Sequence, residues 1–258
     1  DADGAGAAEF IEAARRRRHC LLTVGRRGEA IRLESLGREG FTQRLELRIR
    51  GEAATVDLPL AGDFQASNAL VAAGLALGLG ENPDAVVGAL SRLRGAKGRL
   101  EYAGKTALGA PVFIDYSHTP DALAKALQAL RPYTAGRLHV VFGCGGDRDR
   151  GKRPEMGRAA TFYADTVYVT DDNPRGEDPA SIRAAIMAAA PNAIEIEGRA
   201  RATEQAIDDL RSGDVLLIAG KGHETGQIVG KTVIPYSDHD AVAAALSAAG
   251  GAQRRAHG

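Results

Sequence analysis

Along this chain the spacing of apolar positions changes twice, and each change marks a different kind of element. Residues 8 to 18 repeat at helical spacing and end in Arg15-Arg16-Arg17-Arg18, after which Cys20-Leu21-Leu22-Thr23-Val24 reads as a strand. From Ile31 the period becomes two. Ile31-Arg32-Leu33, Leu45-Glu46-Leu47-Arg48-Ile49 and Thr55-Val56-Asp57-Leu58 alternate apolar with polar, as half-solvated antiparallel strands of a small meander do. Two helices are expected next, about 65–78 and 84–93, the second opened by Asn82-Pro83-Asp84. Arg94-Gly95-Ala96-Lys97-Gly98 is expected to be flexible, being basic and glycine-rich, which places a domain boundary there, with one domain at 1–96 and a second at 97–258.

Beyond that boundary strand and helix take turns. Short apolar runs near 112–115, 138–142, 166–170, 193–196 and 214–219 are separated by helical patterns near 120–131, 154–163, 179–190 and 200–211. The alternation predicts an α/β fold: a Rossmann-like, mostly parallel sheet with right-handed crossovers and helices on both faces. Gln227 to Pro235 suits a hairpin, Asp238 caps an alanine-rich terminal helix, and residues 250–258 are expected to form a disordered tail.

Composition narrows the function classes. The 258 residues suffice for one large or two modest domains, and Lys plus Arg equals Asp plus Glu at 33 each. No global field therefore draws the chain to nucleic acid or to an acidic membrane, and Arg15 to Arg18 read as a solvated helix end. Only Cys20 and Cys144 are present, without C-x-x-C spacing, which argues for a reducing compartment and against a disulfide framework or zinc site. Ala69 to Leu79 is too short to span a bilayer and reads as a buried helix. Asp1-Ala2-Asp3-Gly4 is neither a signal peptide nor an initiator-Met start, so a cytoplasmic protein is expected, whose sequence here starts inside a longer chain.

The chemistry gathers in four loops that follow the strands of the second domain, where open α/β sheets bind ligands. They carry Asp115 to Pro120, Gly143 to Arg153, Asp171 to Arg175 and Gly220 to Glu224. In Asp171-Asp172-Asn173-Pro174-Arg175, Pro174 pushes Asn173 into an extended conformation, so that Arg175 projects with a fork suited to a carboxylate. The plain alternative is a polar turn with Asp178 as N-cap and Pro179 at the first helical position. Guanidinium groups from Arg148 and Arg175 with carboxylates from Asp172 and Glu224 suit a zwitterion bearing more than one charge of each sign. Gly146 to Lys152 has P-loop spacing, but Arg153 replaces the required Ser or Thr, and Asp147 and Asp149 would repel phosphate. No true P-loop sequence occurs in the chain.

Taken together, Gly62-Asp63-Phe64 with Asn68, Gly98-Arg99-Leu100-Glu101, Asp115-Tyr116-Ser117-His118-Thr119-Pro120-Asp121, Gly145 to Pro154, Asp172 to Arg175 and Gly220-Lys221-Gly222-His223-Glu224 resemble the Mur ligase family. The D-N-P-R form is similar to the branch that adds meso-diaminopimelate as the third residue of the peptidoglycan stem peptide. The resemblance implies that 1–96 is the rear portion of a central ATP-binding domain and 97–258 the C-terminal amino-acid-binding domain. It implies that Arg148, Asp172, Asn173, Pro174, Arg175, Gly220 and Glu224 hold the diamino acid, while Asn68 lies near adenine, Asp115 near the ribose, Arg99 near the phosphates and His118 on the nucleotide side. Gln65 stands where Asn is often found. His118 is expected to order its turn rather than act as a base. The implied cofactors are ATP and Mg2+, both needing upstream residues: the family's P-loop, metal ligands and carbamylated lysine precede the region matched. The implied partners are UDP-MurNAc-L-Ala-D-Glu and meso-diaminopimelate, acting on a monomer with no nucleic acid and no membrane. A lysine-adding relative and a stand-alone amino-acid- or nucleotide-binding module are the competing readings.

Overall fold

The structure is a computed structural model that describes the backbone of residues 1–256 and the side chains of residues 1–249. The chain divides into two compact units, Asp1–Arg94 and Gly95–Gly258.

In the first unit, β1 (Val24–Gly25), β2 (Ile31–Glu39), β3 (Thr42–Ile49) and β4 (Glu52–Leu58) form a sheet in chain order. β1 runs parallel to β2, and the other pairs are antiparallel. The two-residue period does its expected work: Leu45, Leu47 and Ile49 are buried while Arg44, Glu46 and Arg48 face outward. Onto the buried face pack α2 (Asp63–Gly78), through Ala66, Ala69, Leu70, Ala73 and Leu77, and α3 (Pro83–Leu90), through Val86 and Leu90. Only one side of α2 is covered, since Leu75 remains 67% exposed. Asn82 caps α3 by accepting the N–H groups of Asp84 and Ala85 at 2.8 and 3.3 Å, as its sequence suggests. The strand expected at Cys20 shrinks to Val24–Gly25. α1 (Ala7–Arg16) buries no residue, and its arginines sit in solvent, Arg15 beside Glu29 and Arg16 beside Glu12.

The second unit is built on a six-stranded sheet in the order β5-β6-β10-β7-β8-β9. Its strands are β5 (Glu101–Lys105), β6 (Pro111–Asp115), β7 (Leu138–Phe142), β8 (Thr166–Val169), β9 (Ile194–Glu195) and β10 (Val215–Ala219). All neighbours are parallel except β5, an antiparallel edge strand absent from the sequence expectation. Three crossover helices, α4 (Pro120–Leu130), α5 (Lys152–Tyr163) and α6 (Pro179–Met187), carry the chain from β6 to β9 and pack side by side. After β9 the chain turns back through α7 (Arg199–Asp208) to place β10 between β6 and β7. With crossover handedness fixed, this reversal puts α7 on the opposite face, where α8 (Asp238–Ala256) packs beside it. Ile114, Val141, Leu216 and Ile218 meet Ala202, Ala206 and Val242 in the core on that face. A hairpin of β11 (Gly226–Val229) and β12 (Thr232–Pro235) precedes α8.

Two expectations change here. α8 runs through residues expected as a tail, up to Ala256, and residues 257–258 lie outside the described residues. Gly98, at the end of the glycine-rich stretch, is not loose chain. It is buried at φ +67°, and a Cβ there would overlap His223 N and Gly222 C.

Candidate functional site

The carboxyl ends of β6, β10, β7 and β8 are neighbours in the sheet, so their four loops line one edge. There they enclose a cleft of about 440 Å³. The order reverses between β10 and β7, the position where an open α/β sheet leaves room for a ligand. Arg148, Asp172, Asn173, Arg175, Gly220 and Glu224 all line this cleft, joined by His118. Pro174 does not reach the wall. It is buried behind it, with its carbonyl against Gly146.

The D-N-P-R loop is a fixed object. Asp171 points away, accepting from Arg183 Nη1 and, at 2.8 Å, from Gly198 N. Asp172 Oδ1 accepts the Asn173 N–H at 2.7 Å. Asn173, 6% exposed, ties three segments together: its Nδ2 donates to Glu224 Oε2 at 3.1 Å, and its Oδ1 accepts from Lys221 Nζ and Ile228 N at 3.0 Å each. Arg175 adopts φ 50°, a left-handed conformation that no local feature of the sequence foretells. It is held there by the hairpin: Arg175 N donates to Ile228 O at 3.0 Å, and its carbonyl accepts from Gly230 N at 2.7 Å. Its Nη1 donates to Gly146 O at 3.0 Å and Asn173 O at 3.3 Å, leaving Nε and Nη2 without a protein partner among the described residues. The turn reading holds as well, because Asp178 caps α6 through Ser181 N at 3.0 Å with Pro179 in the first helical position.

The loop after β10 supplies the opposite charge. Glu224 Oε2 accepts from Lys221 Nζ at 3.0 Å, and Oε1 faces the cleft without a protein partner among the described residues. Lys221 is fully buried, with both of its acceptors on cleft residues. Burying an ammonium is tolerable only with such partners. In sequence Lys221 stands inside Gly220-Lys221-Gly222-His223-Glu224 with nothing local to foretell that burial.

The loop after β7 is clamped to the D-N-P-R loop. Asp147, at φ 52°, accepts Gly176 N at 2.9 Å, and Glu177 accepts Asp147 N at 2.7 Å and Arg153 Nη2 at 2.9 Å. Hydrogen bonds from the Arg153 guanidinium and the Asp147 N–H hold the Glu177 carboxyl at about 2, well below its usual range. Gly146 completes the clamp, since a Cβ there would overlap the Pro174 carbonyl oxygen. Asp149 is used locally on Gly151 N at 2.8 Å. Arg148 consequently stands in the cleft with no ion-pair partner among the described residues, neither Asp147 nor Asp149 meeting it. Cys144 in the same loop is buried, and burial pushes its thiol up to about 12, so it is no nucleophile. Lys152, set aside in the sequence with the P-loop decoy, also lines the cleft and donates to His118 O at 2.9 Å.

The residues assigned to a nucleotide belong to both units. Asp115 Oδ2 accepts Leu100 N at 2.7 Å, and Oδ1 accepts Ser117 N at 2.8 Å, so the carboxylate already organises two backbone turns. His118 Nδ1 lies 2.9 Å from Tyr116 O and closes its own turn. The Arg99 guanidinium sits 4.6 Å above the Tyr116 ring. Asn68 belongs to the first unit, exposed on α2, whereas Gln65 on the same helix is 7% exposed. No group of three or more His, Cys, Asp or Glu side chains that could hold a metal ion occurs among the described residues. No helix among the described residues is long and apolar enough to cross a membrane.

The fold and cleft define a ligase domain of known type: residues 98–222 match the family described as Mur ligase, glutamate ligase domain. These residues form a Mur ligase C-terminal domain, and the Mur ligase family uses ATP and Mg2+. It is 58% identical over 250 residues to the UDP-N-acetylmuramoyl-L-alanyl-D-glutamate–2,6-diaminopimelate ligase of Bradyrhizobium diazoefficiens, covering 95% of this chain and 51% of that protein. The ligase of the same description from Mesorhizobium japonicum is 54% identical over 245 residues, again 95% of this chain and 51% of that protein. The chain thus spans about half the length of the curated relatives it matches. A solved structure of a 2,6-diaminopimelate ligase superposes with a TM-score of 0.71 at 33% identity, over 95% of this chain and 52% of that one. The folylpolyglutamate synthase of Mycobacterium tuberculosis, solved with ADP and AMPPCP, shares the fold at a TM-score of 0.63 and 23% identity.

Proposed function

We propose that this chain is the rear part of an ATP-dependent amide ligase of peptidoglycan precursor synthesis, and that the cleft binds meso-diaminopimelate. In the parent reaction a carboxylate of UDP-MurNAc-L-Ala-D-Glu takes the γ-phosphoryl group of ATP to give an acyl phosphate and ADP. The diamino acid's amine nitrogen then attacks the acyl carbon, phosphate leaves with the C–O bonding pair, and the nitrogen loses a proton. This chain's contribution is to hold and orient the diamino acid. Arg175 takes a carboxylate through Nε and Nη2, Glu224 takes an ammonium through Oε1, and Arg148 and Asp172 supply the second charge of each sign. Asp115, His118 and Arg99 serve the nucleotide in the parent enzyme, and in the first unit Asn68 serves adenine.

The observation that carries the reading is that Arg148 and Arg175 present uncommitted guanidinium N–H groups to the same cleft as Glu224 and Asp172. A monocarboxylate amino acid such as lysine leaves one arginine without a partner, which favours diaminopimelate. Calorimetric titration of the purified chain with meso-diaminopimelate and with L-lysine tests this. Binding of the first, at least tenfold tighter than the second, is expected; equal affinities contradict it. The chain alone is expected to form no amide bond, so turnover above a no-enzyme control would contradict its assignment as a partial enzyme.

A further inference from the structure

Arg199 is in an unfavourable place for a cation. It is the first residue of α7, where the positive end of the helix dipole repels it, and it is fully buried. Asp238, also fully buried, compensates: its Oδ1 and Oδ2 accept from Arg199 Nε and Nη2 at 2.7 and 2.8 Å, and Nη2 also donates to Ala219 O at 2.8 Å. Burial disfavours the charge, but the Asp238 carboxylate outweighs it and keeps the guanidinium cationic.

One nitrogen is left over. Arg199 Nη1 is buried without a hydrogen-bond partner, and the nearest anion is Asp172 Oδ2 at 3.9 Å, in the cleft wall. Between them lies Gly220 at φ +116°: a Cβ there would stand 3.0 Å from Asp172 Oδ2 and 3.9 Å from Arg199 Nη1, so glycine keeps the line open. The other Asp172 oxygen is committed to Asn173 N, so the Arg199 nitrogen faces the oxygen that remains.

We propose that Arg199 is a positioning residue for the cleft: anchored by Asp238 at the start of α8, it holds the Asp172 carboxylate in the orientation that receives the ligand's ammonium group. α8, which lines none of the cleft, is thereby part of the binding apparatus. The proposal rests on the diamino-acid reading for its ligand, but the placement of Asp172 can be tested without one.

Arg199→Lys keeps the charge and loses Nη1. The double variant Arg199→Gln/Asp238→Asn removes both charges while leaving hydrogen-bonding groups of similar size, so that no buried ion is stranded. In each, amide hydrogen exchange of the ligand-free chain is expected to show the Asn173 N–H, which Asp172 caps, exchanging about tenfold faster. The Ser181 N–H, capped by Asp178 outside this network, should be unchanged. Unchanged Asn173 exchange in both variants, or an equal rise at Ser181, overturns the proposal. A double-mutant cycle in meso-diaminopimelate affinity then separates positioning from a general structural role. Arg199→Lys is expected to weaken binding about tenfold when Asp172 is present and to change it less than twofold in an Asp172→Asn background. Additive effects overturn the proposal. Faster Asn173 exchange with no diaminopimelate binding by the parent chain sinks the functional reading and leaves the positioning role standing.

Discussion

The second unit has a hollow at each end of its strands, and the two differ in what their charges do. At the amino end a cavity of about 590 Å³ is lined by Arg137, His139, Tyr168, Asp209, Arg211 and Asp214. It is the larger, yet both of its carboxylates are already committed to neutral groups of the fold. Tyr168 Oη donates to Asp209 at 2.7 Å, and Asp214 accepts the backbone N–H groups of Arg137 and Arg211 at 2.7 and 2.8 Å. His139 Nε2 is 3.3 Å from Asp214, though not aligned for a hydrogen bond. Burial pushes the His139 imidazole below its ordinary value despite that carboxylate. At the carboxyl end the smaller cleft holds Arg148 unpaired, Arg175 with two open nitrogens and Glu224 with one open oxygen. Volume does not mark a binding site; open groups of both signs converging in one cleft do.

The comparison breaks most sharply at Gly146. Gly146→Ala forces the two clamped loops apart, because the new Cβ overlaps the Pro174 carbonyl. Diaminopimelate affinity is expected to fall at least a hundredfold, while overpacking of this kind costs about 1–3 kcal/mol of stability. Calorimetry with thermal melting checks both, and retained affinity would show that the clamp does not shape the site. Glu224→Ala comes next. It removes the ammonium partner and strands Lys221, so binding of both diaminopimelate and lysine should weaken by about 2–3 kcal/mol. A loss confined to one of them would reassign Glu224.

The smallest effect belongs to the amino end, where His139→Phe should leave diaminopimelate affinity within twofold. Its signature is in stability against pH. The folded-state value of His139 is depressed from 6.5, so the unfolded chain takes up a proton first as pH falls, and stability is lost below about 6.5. One such proton contributes a slope of at most about 1.4 kcal/mol per pH unit. Urea unfolding at pH 7.5 and 5.5 should show the variant losing less stability than the parent. An equal loss in both would mean that His139 is protonated in the fold.

The strongest parts of this architecture were legible because their causes are local. The period-two strands β3 and β4, the Asn82 and Asp178 caps and the run of parallel strands depend on neighbours in sequence. β5 was not legible, since its five residues contain Gly104 at an irregularity in register and show no clean alternation. Of the cleft, the four loops could be read, but not the states of their side chains. Arg175 owes its left-handed backbone to a hairpin more than fifty residues on, Lys221 owes its burial to Asn173, and Arg199 is tolerated at a helix start only because Asp238 lies against it. Pro174, expected at the ligand, is fixed by a loop it does not neighbour in sequence, its carbonyl lying against Gly146.

The central claim is that Arg175 offers its two open nitrogens to a carboxylate that lysine lacks. It is tested most directly by the ratio of kcat/KM for meso-diaminopimelate and L-lysine in the intact ligase and in its Arg175→Ala variant. The account predicts that Arg175→Ala loses on the order of a hundredfold with diaminopimelate, about 2.8 kcal/mol, and far less with lysine, so that the ratio collapses toward unity. An unchanged ratio would contradict it: the loop would then be a helix-entry turn alone, and the choice of amino acid would be made elsewhere.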